Sequence, residues 1–101
     1  MNREQKAILA ATPGLLLKEE FLDHHQLSQS ELSRRTGIPR STINEIIKGK
    51  RAITAEVAFT LGTFFGMDPQ FWINLQSRYD LRVVQFQRAT AIRARVRPLL
   101  A

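Results

Sequence analysis

The stretch of sequence that decides the fold is SQSELSRRTGIPRSTINEIIK, which spans residues 28–48. Ser28 and Glu31 form a capping-box pattern, in which the two side chains satisfy free backbone N–H groups at the start of a helix. Gly37 suits a left-handed helix end, and the residue before Pro39 is pushed out of the helical conformation. The sequence therefore predicts a helix that begins at Ser28 and ends in a turn.

The first helix of this stretch ends at Thr36, and a second short helix follows the turn. The apolar residues of the second helix are spaced by three and four positions up to Gly49, as on one face of a helix: Ile43, Ile46 and Ile47. Two helices joined in this way form a helix-turn-helix, whose second helix fits the major groove of DNA. The residues expected to pack inside the motif are Leu32, Ser33, Gly37, Ile38, Ile43 and Ile46. Thr36 stands where an apolar residue is usual, and we expect its methyl group to pack there.

Three further helices are predicted from spacing and caps. They are a first helix over 15–25, where Leu17 and Phe21 lie four residues apart, a fourth from the cap Thr54 to Gly66, and a fifth from Asp68-Pro69 through Tyr79. The fifth helix either gives way to a tail near Leu81 or continues towards Arg88. Alternation typical of a strand occurs only weakly, over 81–87, so the expected fold is all-α.

One five-helix domain is expected over residues 13–80, between an N-terminal arm of residues 1–12 and a basic C-terminal helix or tail of residues 81–101. The arm lacks caps and clear periodicity, so we expect it to be loose, with a short helix at most. A chain of 101 residues with 44% hydrophobic and 24% charged residues is able to bury one core.

The composition argues against several classes of protein. No apolar run approaches the roughly 18 residues that span a membrane, and residues 1–11 lack a signal-peptide pattern, so a cytoplasmic protein is expected. The absence of cysteine excludes disulfides and thiolate metal sites. His24 and His25 are adjacent and have no convergent carboxylates, so we expect neither a metal nor a cofactor. Every serine has a capping, packing or surface explanation, and no active site is predicted.

The outward-facing residues favour DNA binding over a plain helical hairpin, since the apolar positions fit both. The net charge of +6 indicates a polyanionic partner. On and after the third helix, the outward-facing residues are mostly basic or hydrogen-bonding: Arg40, Ser41, Thr42, Asn44, Glu45, Lys48, Lys50 and Arg51. A solvated bundle face more often mixes Glu and Lys four residues apart. We therefore expect double-stranded DNA as a partner.

Four segments of the chain carry a family resemblance. They are SQSEL at 28–32, PRSTINEII at 39–47, GKRAIT at 49–54 and DPQFWINLQ at 68–76. Together they resemble the HigA (VapI) antitoxins, which belong to the Xre/Cro-type helix-turn-helix proteins with a lambda-repressor-like fold. The resemblance covers residues 12–81, and its last segment is more specific than a general helix-turn-helix pattern.

The resemblance implies an antitoxin that forms a homodimer, binds a palindromic operator in its own promoter and pairs with a HigB-type toxin, a ribosome-dependent ribonuclease. By analogy with Cro-type repressors, Gln29 is expected to contact a phosphate at the start of the second helix. The side chains expected to reach base edges are Arg40, Ser41, Thr42 and Glu45. Those expected to neutralise phosphates are Lys48, Lys50 and Arg51. The expected dimer interface lies on the fifth helix and consists of Phe71, Trp72, Leu75 and Tyr79.

Two rival functions are considered beside this one. A stand-alone Xre-family regulator without a toxin has the same DNA surface, and the sequence does not separate it from an antitoxin. A basic RNA-cleaving or RNA-binding toxin would share the positive charge. Such a toxin needs an antiparallel sheet and convergent catalytic residues, whereas the pattern here is helical throughout.

After Asp80 the chain has five arginines and no acidic residue, so the last 21 residues carry five of the six net charges. This segment is interpreted either as an arm that orders on toxin or DNA, or as a solvated helix end. Toxins of this class are themselves basic. The toxin is therefore expected at the acidic residues Glu19, Glu20 and Asp23 or at the N-terminal arm.

Overall fold

The structure, a computed structural model, describes residues 2, 3 and 11–100, and between 11 and 100 it contains five helices and no strand. The helices are α1, which begins as Pro13–Leu16 and continues as a π-helix over Leu17–Asp23, then α2 (Gln29–Thr36), α3 (Arg40–Ile47), α4 (Ala55–Phe65) and α5 (Gln70–Arg95). This confirms the predicted all-α, five-helix fold. The predicted N-terminal arm, residues 1–12, lies mostly outside the described residues.

Caps define the ends of the helix-turn-helix motif as predicted. The Ser28 hydroxyl oxygen accepts a hydrogen bond from the Glu31 backbone N–H at 3.0 Å, and Gly37 has a left-handed backbone with a φ of 80°. The capping box is one-sided, because the Glu31 carboxylate instead accepts a hydrogen bond from Arg34 Nε at 3.1 Å. Thr54 caps α4 in the same way as Ser28 caps α2.

The first helix differs from the prediction in its start and in its winding. The Thr12 hydroxyl oxygen accepts a hydrogen bond from the Leu15 backbone N–H at 3.1 Å, so this residue of the predicted arm is the cap of α1. From Leu17 the helix is a π-helix, in which each hydrogen bond reaches back five residues instead of four. Leu17 and Leu22 are both buried although they are five residues apart, which the wider turn allows.

Two hydroxyl groups stabilise the turn between α2 and α3. Ser33, predicted to be small at the helix crossing, donates its hydroxyl to the Ile38 carbonyl oxygen at 2.6 Å. Thr36 donates to the Leu32 carbonyl oxygen at 2.6 Å and accepts from the Ile38 backbone N–H at 3.2 Å. The side chain of Thr36 therefore holds the turn through its hydroxyl group. The prediction of methyl packing did not foresee this contact.

The core lies between the five helices, and its buried side chains among the described residues are all apolar. They are Leu17, Leu22, Leu32, Ile38, Ile43, Ile46, Ile53, Ala58, Leu61 and Trp72. Trp72 of α5 packs against Phe21 of α1, with ring centroids 4.8 Å apart. Aromatic side chains bury the largest apolar areas of any residue, so this contact contributes strongly to joining the two helices.

The fifth helix extends well beyond the core. Its 26 residues make it about 39 Å long, and the molecule measures 52 × 30 × 21 Å. Among the described residues, no apolar side chain after Leu75 is part of the core or of the apolar shell packed against it. The exposed large apolar side chains on the second half of α5 are Leu81, Val84 and Phe86. The basic C-terminal segment is thus helical as far as Arg95. No helix in the described ranges combines the length and apolar character needed to cross a bilayer.

Helices α1 and α3 approach each other closely at Gly14. Gly14 is buried, and a Cβ atom there would lie 1.8 Å from the Ile46 carbonyl oxygen and 2.7 Å from the Ile47 Cα. Backbone atoms of a packed helix do not move aside as the end of a flexible side chain does. Only glycine allows this approach, which helps to set the position of the C-terminal end of α3.

We expect Gly14→Ala to lower the free energy of unfolding by about 3 kcal/mol, the upper end of what overpacking commonly costs. Gly66→Ala is the matched control. Its φ is 68°, but no atom lies within 4 Å of the added Cβ, so backbone strain alone should cost about 1 kcal/mol. Urea unfolding of the two variants measures both losses. Equal losses would contradict the close contact between α1 and α3.

Candidate nucleic-acid interface

The two sides of α3 differ in burial and in charge. Ile43 and Ile46 face the core and are 1% and 2% exposed. The residues predicted to face DNA all lie outside the core. The exposed ones are Arg40, Ser41, Lys48, Lys50 and Arg51, and the half-buried ones are Gln29, Thr42, Asn44 and Glu45. Helix α3 therefore presents a polar, mostly basic side while its apolar side anchors it.

Asn44 and Gln29 form a pair that links α3 to the first turn of α2. The Asn44 Nδ2 donates to the Gln29 Oε1 at 3.3 Å. Because the Gln29 side-chain oxygen is engaged, its amide N–H groups are what it has left to offer a ligand. Such donors suit an anionic oxygen, and the partial positive charge of the α2 N-terminus acts at the same place. Asn44 therefore orients Gln29, a role that the sequence did not reveal.

Glu45 and Arg51 form a second pair, between α3 and the loop that follows it. The Glu45 carboxylate accepts a hydrogen bond from Arg51 Nε at 2.6 Å. The Arg51 and Glu45 side chains are 50% and 42% exposed, and ion pairs in such positions stabilise a fold only slightly. The pair neutralises the one carboxylate of the predicted interface, and it leaves the terminal N–H groups of Arg51 for another acceptor.

A residue that the sequence analysis missed as a site residue fastens the loop between α3 and α4. The Gln76 side-chain oxygen, on α5, accepts a hydrogen bond from the Ile53 backbone N–H at 2.8 Å. Ile53 is 3% exposed, so its N–H needs an acceptor within the protein. The loop that carries Lys50 and Arg51 is thereby attached to α5. Gln76 is the last residue of the DPQFWINLQ segment, and its place in this family-specific segment was the one indication in the sequence that it has a role. Nothing in the sequence indicates that its partner is Ile53.

Two exposed ion pairs lie outside this interface, and each shifts the pKa of a member. The hydrogen bond from Arg34 lowers the pKa of Glu31, near the start of α2. Asp23 accepts a hydrogen bond from Lys18 at 2.9 Å and raises the pKa of Lys18. Both shifts favour the charged forms, of Glu31 and of Lys18 respectively.

The predicted dimer residues on α5 divide into two groups. Trp72 is 0% exposed within its own chain, so the prediction that it meets a partner subunit is wrong: its ring has no free surface. Phe71, Leu75 and Tyr79 are half-buried and follow one another at intervals of four residues. Phe71 stacks on Trp72 with ring centroids 5.1 Å apart. The contact of these three residues with a second copy stays a prediction.

In the described part of the chain, no three His, Cys, Asp or Glu side chains cluster so that they could hold a metal ion. His24 and His25 are exposed at the end of α1, and their ring centroids lie 5.0 Å apart. Their position is that of helix-end residues.

Comparison with known proteins gives the family of the chain. Residues 17–72 match the helix-turn-helix family. Virulence-associated protein I of Dichelobacter nodosus is 41% identical over 76 residues, which cover 75% of this chain and 70% of that protein. Antitoxin HigA-1 of Vibrio cholerae is 37% identical over 68 residues, which cover 67% of this chain and 64% of that protein.

Solved structures share the fold. The Pseudomonas aeruginosa antitoxin HigA with the higBA promoter superimposes with a TM-score of 0.84 and 36% identity, over 88% of this chain and 97% of that one. The antitoxin GraA in complex with its operator gives a TM-score of 0.83 and 33% identity, over 89% of this chain and 91% of that one.

The chain therefore belongs to the helix-turn-helix family of the Xre type, a family of DNA-binding proteins and not of enzymes. Within that family, its structural neighbours are HigA antitoxins, and its relatives include HigA-1 and the VapI-like proteins. This confirms the resemblance carried by the four sequence segments.

Replacing Gln76 tests whether its side chain holds the loop. Gln76→Ala removes the acceptor of the buried Ile53 N–H. A lost acceptor costs about 1–3 kcal/mol, so we expect this amide to exchange with solvent about 5- to 150-fold faster. Amide hydrogen exchange followed by NMR measures the rate. Gln70→Ala, on the same helix, removes only an exposed hydrogen bond to Asn74 and should leave the rate at Ile53 unchanged. Unchanged exchange in Gln76→Ala would show that the loop is held by other contacts.

Proposed function

We propose that this protein is an antitoxin of the HigA type. It represses its own operon by binding a palindromic operator, and it neutralises a HigB-type toxin that cleaves mRNA. The observation that carries the proposal is the basic, hydrogen-bonding side of α3, which is held outward by the buried Ile43 and Ile46. Structural neighbours with the same fold are bound to promoter or operator DNA, which supports DNA as the partner of this side.

Arg40 is the residue that we assign to base recognition. It is exposed at the first position of α3, and an arginine can donate two hydrogen bonds to the O6 and N7 atoms of a guanine. Ser41 and Thr42 follow it and read bases less selectively. Glu45 reaches a base edge only when its ion pair with Arg51 opens or shifts. A carboxylate in that place would accept from the amino group of a cytosine.

Phosphate contacts are assigned to the residues around the ends of α2 and α3: Gln29, Lys48, Lys50 and Arg51. Asn44 orients the Gln29 amide, and Gln76 holds the loop that carries the last two cations. Contacts of this kind position the protein on the duplex and set its affinity and salt dependence, but they carry no sequence information.

We infer a homodimer through α5. Phe71, Leu75 and Tyr79 lie on one face of the helix, and Phe86 continues that face seven residues further on. Phe86 is 38% exposed on the half of α5 that leaves the core. A two-fold axis along this face pairs two copies and places their α3 helices in successive major grooves, about 34–36 Å apart.

Arg40→Ala and Lys50→Ala should weaken DNA binding in different ways. Loss of a two-bond contact to guanine costs about 1–3 kcal/mol of discrimination, so we expect Arg40→Ala to lower operator affinity about 5- to 150-fold with little effect on random DNA. Lys50→Ala should weaken both complexes alike and reduce the slope of log affinity against log salt by about one. Gel-shift titrations on the upstream promoter and on a shuffled duplex measure both effects.

Gln29→Ala is the control for a phosphate contact that is not cationic, and it should weaken both duplexes evenly. Equal losses on operator and random DNA for Arg40→Ala would remove Arg40 from base recognition. The phosphate contacts assigned to Lys50 and Gln29 would not be affected, because each is tested by the titration of its own variant.

The toxin contact is assigned to α1. Glu19 and Glu20 are exposed there, beside a hollow of about 320 Å³ that is also lined by Leu15, Leu16 and Leu75. Asp23, the third acidic residue predicted for this contact, is engaged with Lys18. Arg82 also lines the hollow, so its charged groups are two carboxylates and one guanidinium. The excess of carboxylates beside an apolar lining favours a basic partner, because unlike charges steer and align the two surfaces. The N-terminal arm, the other site proposed from the sequence, precedes α1 directly.

Co-expression tests the antitoxin function separately from DNA binding. We expect a short basic reading frame beside this gene to arrest growth unless this protein is present. Reversal of both carboxylates, Glu19→Arg with Glu20→Arg, should abolish rescue, whereas Arg40→Ala should rescue fully while losing repression of a promoter reporter. If no neighbouring frame arrests growth, the chain is a stand-alone Xre-family regulator with the same DNA surface.

A further inference from the structure

The outer side of α4 carries an aromatic residue that the fold does not use. Phe59 is 66% exposed, and between residues 11 and 80 of the described chain it is the only exposed large apolar side chain. Its helix already contributes Ala58 and Leu61 to the core, both at 0% exposure. A phenylalanine that is two-thirds exposed buries little apolar area within its own chain, which leaves its ring available to a partner.

A hollow lies next to the Phe59 ring. It has a volume of about 500 Å³ and is also lined by Arg35, Thr36, Thr60, Thr63 and Phe64. The guanidinium of Arg35 sits over the Phe64 ring, 5.0 Å from its centroid, which is the geometry of a cation–π contact. Arg35 is therefore held at one end of the hollow, and its charge faces an apolar and hydroxyl-lined surface.

The charges of this surface have opposite signs at its two ends. Glu56 is exposed one turn before Phe59, and the two residues share a stripe with Thr63, at intervals of three and four positions. Glu56 precedes Phe64 by eight residues, which is about 12 Å along the helix. None of the salt bridges within the described chain involves Glu56 or Arg35. Along α4, the surface thus runs from a carboxylate through an exposed ring and a hollow to a guanidinium.

We propose that this α4 face binds the same face of a second copy of the chain. A surface with a carboxylate at one end, a cation at the other and an apolar centre is complementary to itself after a two-fold rotation. In the antiparallel pairing, Phe59 enters the hollow of the other copy and Glu56 meets the partner subunit's Arg35. The contact is distinct from the α5 face of the proposed homodimer, and it joins such dimers to each other.

The size of the face sets the strength expected of the contact. One aromatic ring and two ion pairs make a small interface, and interfaces well below about 1,200 Å² support weak association. Weak contacts of this kind strengthen when two copies are held close together, because the second contact then forms at a high effective concentration. Neighbouring dimers on one stretch of DNA meet that condition.

Charge reversal tests the pairing in the full chain without DNA. Glu56→Arg brings two arginines together across the axis, and Arg35→Glu brings two carboxylates together. Like charges across an interface are strongly unfavourable, so each single change should weaken self-association about tenfold or more. The double variant Arg35→Glu with Glu56→Arg restores both unlike pairs and should return within about threefold of the original constant. Sedimentation equilibrium over a wide range of concentrations measures the constants.

Three control variants separate this contact from other effects. Phe59→Ser should weaken the same association step as the single reversals. Asp23→Arg applies the same change of charge at the end of α1, breaks only an exposed ion pair with Lys18 and should leave self-association unchanged. Phe86→Asp lies on the unsupported half of α5 and should abolish the other step, which belongs to the proposed homodimer.

The results distinguish the two proposals. Recovery in the double variant also excludes a folding defect as the cause of the single losses, because the double variant lacks the same Arg35–Phe64 contact. If both reversals and Phe59→Ser leave the mass at every concentration unchanged, the α4 pairing is overturned. A lower mass in Phe86→Asp supports the α5 dimer whatever the outcome for the α4 face. An unchanged mass in Phe86→Asp overturns the α5 dimer and leaves the α4 pairing to its own variants.

Discussion

The burial of one side of α3 is the constraint on which the remainder of the structure depends. An isolated helix of eight residues is not stable in water, so α3 has the direction that its packing imposes. Ile43 and Ile46 are almost completely buried, and the close approach of Gly14 fixes the end of the helix against α1. Every polar side chain on the opposite side takes its direction from these contacts. Arg40 is exposed because the packing of the two isoleucines turns the other side of α3 towards solvent.

The features that could be predicted from sequence are those whose cause lies within a few residues. Ser28 and Thr54 cap the helices that follow them, and Gly37 ends α2 in the left-handed conformation. In each case, a side chain or a missing Cβ acts on backbone groups that are three or four positions away. The π-helical winding between Leu17 and Leu22 has no such local cause. Two leucines five residues apart favour it only because both find buried positions in the folded chain.

The pairs that shape the candidate interface could not be predicted, because each depends on where distant parts of the chain meet. Gln29 and Asn44 are 15 residues apart, and Ile53 and Gln76 are 23 apart. The sequence shows that these residues are polar and able to bond, but every exposed helix face offers similar candidates. Trp72 illustrates the same limit for apolar residues. Aromatic residues at helical spacing suit a core or an interface equally well, and only the packing against Phe21 assigns this one to the core.

The attachment of the α3–α4 loop to α5 connects the two surfaces that the proposed function needs. Trp72 fixes α5 in the core, and one turn later Gln76 accepts the hydrogen bond from the Ile53 backbone N–H. The loop with Lys50 and Arg51 is therefore positioned relative to α5 and not only relative to α3. In the homodimer proposed above, this bond connects the paired α5 helices to the loops that are assigned to phosphate contacts. A dimer of this kind must place two α3 helices about one DNA turn apart. A loop that is attached to α5 keeps Lys50 and Arg51 at a fixed position relative to the dimer interface, so their phosphate contacts and the spacing of the α3 helices are set together.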